Sequence, residues 1–130
     1  MNRLIAMALA GALFSSGAYA ALKVGDAAPS FSAQAALDGK TFNFSLAEAL
    51  KKGPVVVYFY PAAFTAGCNV QAHLFAVNHE KFAQAGASVV GVSLDGIEKL
   101  KKFSSDPNYC AAKFAVASDA EGPIAKSYDL

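Results

Sequence analysis

The sequence has little charge, few sulfur-containing residues and almost no arginine. Only 16% of its 130 residues are charged and 55% are hydrophobic, a composition that excludes an intrinsically disordered chain. Its two cysteines are too few for a disulfide-stapled miniprotein. A net charge of +1 gives no sign of the basic surface that binds nucleic acid. The lysines at 99, 101 and 102 have neighbouring carboxylates that balance their charge, and we expect them to form a solvated helix face. The single arginine is Arg3.

The first twenty residues have the pattern of a targeting segment. Met1–Arg3 carries a positive charge, an uncharged apolar run follows at 4–14, and small residues lead to Ala18-Tyr19-Ala20. This order is typical of a secretory signal peptide, and the apolar run is too short to span a bilayer. We therefore predict a signal peptide at 1–20 and a single domain at 21–130. That domain would be periplasmic or secreted, with no membrane attachment after cleavage.

Strand and helix signals alternate along 21–130. A hairpin is predicted at 33–44 around the Asp38-Gly39 turn, and a capping box at 45–48 opens a short helix. Val55–Tyr60 is a continuous apolar run, typical of a strand that is central in its sheet and covered on both faces. Further helices are predicted at 65–85, 97–103 and 123–128, and further strands at 88–94 and 114–117. The order predicts an α/β domain with a central parallel β-α-β unit and an N-terminal hairpin.

The residues that bear chemistry lie where the predicted strand Val55–Tyr60 gives way to the predicted helix at 65–85. Cys68 falls in the first turn of that helix, where unpaired N–H groups and the helix dipole favour the nucleophilic thiolate. The Thr65 hydroxyl can face the sulfur, and Pro61 can shape a pocket wall that keeps water away. A reactive, sheltered cysteine is the prediction. Plain burial of Cys68 in the core and simple helix capping by Thr65 are the alternatives.

The segment Pro61-x-x-x-Thr65-x-x-Cys68 resembles the active-site motif of the peroxiredoxins, in particular the peroxiredoxin Q (bacterioferritin comigratory protein) type. Flanking segments are similar to the family in the same order, at 24–31, 89–93 and 118–128. The resemblance implies a thioredoxin-like fold and a thiol peroxidase for hydrogen peroxide or organic hydroperoxides, without a metal or cofactor. It implies that Cys68 is the peroxidatic cysteine, that Thr65 holds and polarises the peroxide, and that Pro61 shields the site.

The resemblance also implies that a second thiol resolves the sulfenic acid formed at Cys68. Many members of the subgroup carry that thiol five residues after the peroxidatic cysteine, where this sequence has His73. Some members resolve through a later cysteine, which Cys110 resembles, and a thioredoxin-like donor would then reduce a Cys68–Cys110 disulfide. Cys110 as an inert thiol, or as half of a static disulfide, stays open at this point.

The sequence departs from the peroxiredoxin pattern in two respects. Gln71 stands where relatives often carry glutamate, and the arginine that holds the thiolate and the peroxide, expected beyond 118–128, is absent. Relatives continue with a β-hairpin and a final helix, so we expect the chain to be C-terminally incomplete. We therefore also expect a weak peroxidase that is poorly soluble, because an apolar strand edge is left unpaired.

Two other functions compete with the peroxidase. A periplasmic metal-binding protein could use Cys68, His73 and His79, but 21–130 contains no methionine and the spacing of the histidines keeps them off one helix face. A thiol–disulfide exchange protein is expected to carry Cys-x-x-Cys, which is absent around Cys68.

Overall fold

The computed structural model describes residues 21–130, and the predicted signal peptide at 1–20 lies outside the described residues. The strands are β1 (Ser32–Leu37), β2 (Lys40–Ser45), β3 (Val55–Tyr60), β4 (Ser88–Ser93) and β5 (Ala115–Ser118). The helices are α1 (Leu46–Leu50), α2 (Ala66–Val77), α3 (His79–Gln84), α4 (Ile97–Ser105) and α5 (Pro123–Ser127). Helices cover a mixed sheet, so the predicted α/β class is confirmed. In the described part of the chain, no helix has the length and hydropathy to cross a membrane.

The N-terminal hairpin forms as its turn residues predict. β1 and β2 pair antiparallel along their full length. Asp38 and Gly39, between them, both have positive φ, 52° and 73°, which is the backbone that a two-residue type I′ turn requires. The other side of β1 pairs antiparallel with β5, and this pairing attaches the hairpin to the rest of the sheet.

The predicted parallel β-α-β unit is confirmed. β3 and β4 pair in parallel, with Val55 opposite Ser88 and Tyr60 opposite Ser93, and β4 pairs in parallel with β5. α2 and α3 form the crossover between β3 and β4. Because the carboxyl ends of parallel strands share one end of the sheet, the residues that follow β3, β4 and β5 meet there.

The position of β3 differs from the prediction. Tyr58 and Tyr60 pack against α2 and α4, and Val57 and Phe59 pack on the opposite face, so both faces are covered as predicted. The strand is not central, however, because the strand order within 21–130 is β2-β1-β5-β4-β3 and β3 pairs with β4 alone. A continuous apolar run indicates that two layers cover a strand, and it carries no information on whether a second strand lies beside it.

The helix predicted at 65–85 is divided in two. α2 ends at Val77 and α3 begins at His79, with Asn78 between them at φ −100° and ψ 6°. The Asn78 side-chain amide donates to the Leu74 carbonyl at 2.8 Å, and the Asn78 backbone N–H donates to the same oxygen at 3.2 Å. A side chain that competes for a helix carbonyl in this way interrupts the helix.

The apolar stripe on α2 faces outward. Val70, Leu74 and Val77 have the helical spacing seen in the sequence, yet they are 60%, 55% and 61% exposed. The side of α2 that faces the sheet buries Ala72 and Ala76 instead. Helical periodicity therefore located the helix but not the face that it buries.

Two apolar cores lie on the two faces of the sheet. The first, called the α2–α4 core below, has these buried members: Ala36, Tyr58, Tyr60, Ala63, Ala72, Ala76, Val89, Leu100, Phe103, Cys110, Phe114 and Val116. The second, called the α1–α5 core, has these: Phe31, Ala33, Ala35, Phe44, Leu46, Val90, Val92, Ala115, Ala117 and Tyr128. Alternate residues of β4 and β5 enter opposite cores, as the two-residue period of a strand requires.

Gly91 on β4 leaves room for two tyrosine rings of the α2–α4 core. Tyr58 and Tyr60 stack with their ring centroids 5.3 Å apart. A Cβ atom at Gly91 would lie 2.9 Å from Tyr58 Oη and 2.9 Å from Tyr60 Cε1. Since carbon atoms pack best at about 3.5–4.0 Å, a side chain at this position would displace both rings.

We predict that Gly91→Ala lowers the free energy of unfolding by about 1–3 kcal/mol, because overpacking a filled core forces side chains off their rotamers. Urea unfolding followed by circular dichroism measures the change. Gly67→Ala is the matched control, since a Cβ atom there meets nothing within 4 Å and alanine favours a helix. Equal stability of Gly91→Ala and the parent chain would contradict the close packing of the tyrosines on Gly91.

The edge of β3 that is unpaired within 21–130 predicts self-association, because free N–H and C=O groups along an apolar edge recruit further strands. We expect sedimentation velocity to show species that grow with protein concentration. Leu74→Gln is the control, because it removes part of the exposed α2 stripe and leaves the β3 edge intact. A chain that stays monomeric, or association that Leu74→Gln abolishes, would contradict the edge as the associating surface.

Candidate active site

Cys68 lies in the first turn of α2, where it is the third residue of the helix. It is half-buried, it is not part of a disulfide, and its side chain packs against the α2–α4 core. The first N–H groups of a helix have no partner within the helix, and the positive end of the helix dipole lies there. The Cys68 thiol is therefore partly sheltered and close to a locally positive backbone.

Thr65 is the N-cap residue of α2 and is exposed. Its hydroxyl donates to the Ala62 carbonyl at 2.8 Å and makes no capping hydrogen bond to the helix. The alternative of simple capping by the Thr65 side chain is therefore wrong. The helix begins instead with a backbone bond, from Asn69 N–H to the Thr65 carbonyl at 2.8 Å. The proton of the Thr65 hydroxyl is engaged, and its oxygen can still accept a hydrogen bond.

Phe64 anchors the turn between β3 and α2. Its backbone lies in the left-handed region at φ 63°. Its ring packs edge-on against Phe103 at 5.2 Å and against Tyr109 at 5.4 Å between centroids. These contacts tie the turn to α4 and to the segment that carries Cys110.

Pro61 follows β3 directly and is exposed. It borders a cleft of about 490 Å³ at the ends of β3 and β4, which is lined by Phe59, Tyr60, Pro61, Val92, Ser93, Leu94, Asp119, Glu121, Gly122, Ala125 and Leu130. Within 21–130, neither Cys68 nor Thr65 lines this cleft. Pro61 therefore lines the cleft and is also the first residue of the turn that leads to Cys68.

Cys110 lies in the segment after α4 and is fully buried in the α2–α4 core. Burial, with a smaller contribution from the negative charge of Asp106, raises the pKa of the Cys110 thiol to about 12. Cys110 is also free, so the alternative of a static disulfide with Cys68 does not describe this structure. The next two residues, Ala111 and Ala112, have φ 51° and 58°, a left-handed backbone that non-glycine residues rarely adopt.

Tyr58 and Tyr60 lie within electrostatic reach of both cysteines. Burial raises the pKa of each phenol, and negative charge at Cys110 or Cys68 raises it further. The Ser93 hydroxyl donates to Asp95 at 2.9 Å and not to Tyr60. Neither buried phenol oxygen has a hydrogen-bond partner among residues 21–130. Both phenols and Cys110 thus belong to the α2–α4 core, and Cys68 packs against that same core.

Asp95 is a residue of this site that the sequence pattern did not single out. Its carboxylate is 9% exposed at the end of β4, where it accepts from Ala63 N–H at 2.6 Å and pairs with Lys99 Nζ at 2.9 Å. Burial acts to raise the pKa of Asp95, but hydrogen bonds from Ala63, Lys99 and Ser93 and the charge of Lys99 outweigh burial and hold the pKa below its usual value. The sequence feature that could have identified Asp95 is the position of a carboxylate just after the apolar strand β4.

The metal-binding alternative gains no support from the arrangement of Cys68, His73 and His79. Cys68 and His73 are both on α2, about 140° apart around the helix axis, and His79 is on α3. In the range that the structure describes, 21–130, no group of three or more His, Cys, Asp or Glu side chains is placed to hold a metal ion.

Comparison with known proteins decides the family. Residues 24–130 match the AhpC/TSA family. The chain belongs to this family. It is 41% identical over 112 residues to the chloroplastic peroxiredoxin Q of Populus jackii, a match that covers 86% of this chain and 49% of that protein. It is 36% identical over 109 residues to peroxiredoxin Bcp of Escherichia coli (strain K12), a match that covers 84% of this chain and 65% of that protein. The chain spans about half to two thirds of the length of these curated relatives.

Solved peroxiredoxin structures share the fold. The crystal structure of peroxidoxin BcpB from Mycobacterium tuberculosis superimposes with a TM-score of 0.70 at 34% identity, over 80% of this chain and 64% of that chain. The reduced 2-Cys peroxiredoxin of Plasmodium vivax gives a TM-score of 0.74 at 25% identity, over 82% of this chain and 57% of that chain. The resemblance to peroxiredoxins and the thioredoxin-like fold that it implied are confirmed.

The raised pKa of Cys110 predicts a loss of stability in alkali. The folded state favours the protonated Cys110 thiol. The contribution of this thiol to the free energy of unfolding is therefore complete below the ordinary Cys pKa of 9.0, and it is lost as the pH rises towards about 12. Urea unfolding at a series of pH values measures this slope, and we expect Cys110→Ala to reduce it. Comparing the two proteins removes the contribution of Tyr58 and Tyr60 to the slope, because both proteins contain these phenols. Identical slopes in the two proteins would contradict the burial of the Cys110 thiol.

Proposed function

We propose that this chain is a thiol peroxidase in which Cys68 reduces hydrogen peroxide or an organic hydroperoxide. The observation that carries the proposal is the half-buried Cys68 at the N-terminus of α2, within Pro61-x-x-x-Thr65-x-x-Cys68. Membership of the AhpC/TSA family supports it, as do the names of the relatives peroxiredoxin Q and peroxiredoxin Bcp.

In the first proposed step, the Cys68 thiolate attacks one oxygen of the peroxide. An S–O bond forms and the O–O bond breaks. The distal oxygen leaves as hydroxide or alkoxide and takes up a proton to give water or an alcohol. Cys68 becomes a sulfenic acid, so the sulfur is oxidised by two electrons and the peroxide is reduced by two.

Thr65 and Pro61 shape the surroundings of this step. The Thr65 hydroxyl donates to Ala62, so its oxygen is left as an acceptor for the O–H group of the peroxide. Pro61 has no N–H group, so the chain offers no backbone donor there to hold water at the end of β3. Phe64, which is 40% exposed, adds an apolar surface between them.

Cys110 is the proposed resolving cysteine. Its thiol attacks the sulfenic sulfur of Cys68, an S–S bond forms, and the hydroxyl group leaves as water. Cys110 is part of the α2–α4 core and Cys68 packs against the same core, which supports their pairing. The dithiol of a thioredoxin-like donor then reduces the disulfide by thiol–disulfide exchange. The periplasmic or secreted location inferred from 1–20 would be an oxidising compartment in which such a disulfide persists until a donor reaches it.

Formation of the disulfide requires the Cys110 segment to leave its buried position. Cys110 is fully buried, and its raised pKa holds it in the unreactive thiol form, so it becomes a nucleophile only when the segment opens. The left-handed backbone of Ala111 and Ala112 costs about 1–2 kcal/mol per residue. Release of this strain lowers the cost of opening the segment.

The proposed reaction predicts which thiols peroxide consumes. One equivalent of hydrogen peroxide removes both thiols of the reduced protein, and peptide mass mapping then finds a Cys68–Cys110 disulfide. Cys68→Ser abolishes this loss, because the remaining thiol, Cys110, is buried and held in its unreactive protonated form. Cys110→Ala stops at the Cys68 sulfenic acid, which dimedone traps.

The experiment tests the roles of Cys68 and Cys110 independently. Rapid thiol loss in Cys68→Ser would show that Cys68 is not the peroxidatic cysteine. A wild-type protein that reacts with peroxide but forms no Cys68–Cys110 disulfide would contradict Cys110 as the resolving residue and leave the first step standing.

A further inference from the structure

The buried carboxylate of Asp95 takes no part in the peroxide step or in the disulfide step. One of its oxygens, Oδ2, accepts from Ala63 N–H at 2.6 Å and from the Ser93 hydroxyl at 2.9 Å. The other, Oδ1, pairs with Lys99 Nζ at 2.9 Å. The carboxylate therefore joins the end of β4 and the start of α4 to the turn that leads into α2.

Asp95 is itself held from two further directions. Its N–H donates to Ser93 Oγ at 3.2 Å, and its carbonyl accepts from the Ser118 hydroxyl at 2.7 Å. The first bond fixes Asp95 to β4 and the second fixes it to β5. A residue with this many partners has little freedom to move, so it can serve as a fixed point for a neighbouring turn.

The turn at 61–65 has mostly local bonds of its own. Thr65 donates to Ala62 and accepts from Asn69, and both bonds lie within the turn and the first residues of α2. The bond from Ala63 to Asp95 instead bridges 32 residues of sequence and is buried. Ala63 is only 1% exposed, so without this partner its N–H would be buried and unsatisfied.

We propose that Asp95 is a positioning residue, which through the Ala63 N–H holds the turn at 61–65 so that Thr65 and Cys68 are placed for attack on the peroxide. The inference rests on the proposed function of Cys68. The hydrogen bonds and the charge of Lys99 keep the carboxylate ionised at neutral pH, and a charged acceptor makes the stronger hydrogen bond. Since small misplacements of reacting groups are costly, the effect of losing this bond is expected at the peroxide step.

The test compares Asp95→Ala with Asp95→Asn in the full chain. Asp95→Ala removes the acceptor, and we expect the rate of peroxide oxidation of Cys68 to fall by about 10- to 100-fold. Asp95→Asn keeps a carbonyl oxygen for Ala63 N–H and restores most of that rate. We expect the alkylation of Cys68 by iodoacetamide, read by peptide mass mapping, not to fall in either variant, because this reagent needs an accessible thiolate and not the Thr65 geometry.

The matched control is Asp119→Ala. Asp119 is also buried, at 3% exposure, and its carboxylate accepts from two backbone N–H groups of α5, those of Ile124 and Ala125. Its loss removes a buried carboxylate of the same kind without touching the turn at 61–65. We expect Asp119→Ala to lower stability and to leave the peroxide rate of Cys68 unchanged. A peroxide rate that falls equally in Asp119→Ala and Asp95→Ala, or that falls in neither, would overturn the proposal.

Amide hydrogen exchange at Ala63 separates this inference from the proposed function. We expect the Ala63 N–H to be protected in the wild type and in Asp95→Asn, and to exchange faster in Asp95→Ala. Equal protection in all three would overturn the positioning role. Wild-type Cys68 that reacts with iodoacetamide but not with peroxide would instead overturn the proposed function, and the exchange at Ala63 would still show whether Asp95 holds the turn. If Asp95→Ala does not fold, Asp95→Ser replaces it in every measurement. The serine side chain is too short to accept the hydrogen bond from Ala63 N–H.

Discussion

The parallel pairing of β3 with β4 decides where the turn before Cys68 and the carboxylate of Asp95 lie. With Tyr60 opposite Ser93, the two strands finish side by side, and the chain leaves both of them at the same end of the sheet. The turn into α2 follows one strand and Asp95 follows the other. A shift in this register would separate the Ala63 N–H from the carboxylate that accepts from it, and would move the N-terminus of α2 away from the sheet end that supports it.

The two cysteines show how burial sets the chemistry of one side chain. Cys68 is half-buried at a helix N-terminus, whereas Cys110 is fully buried in the core that Cys68 only borders. Phe64 packs on Phe103 and Tyr109, so a single aromatic group connects the turn before Cys68 with the segment that holds Cys110. Movement of either segment therefore disturbs the packing of the other.

Sequence patterns located local elements of the fold and of the site. The Asp38-Gly39 pair predicted the hairpin turn because few residues tolerate positive φ, and the motif from Pro61 to Cys68 predicted the strand-to-helix junction together with the family. Asp95 was not identified, because its principal partner at the turn is a backbone N–H, which is present at almost every position and carries no sequence signal. The break at Asn78 was missed because a helix-period pattern continues across it.

The sequence by itself determined the types of the elements, the turn of the hairpin, the junction that bears Cys68 and the resemblance to the peroxiredoxins, since each of these depends on residues close together in the chain. The tertiary structure alone decided that β3 lies at the edge of the described sheet, that the Val70–Val77 stripe of α2 faces outward, that Cys110 is fully buried and that Asp95 holds Ala63. These features depend on which distant segments become neighbours. Hydrophobic periodicity indicates the type of an element, and only the packed chain specifies which of its faces is covered and by what.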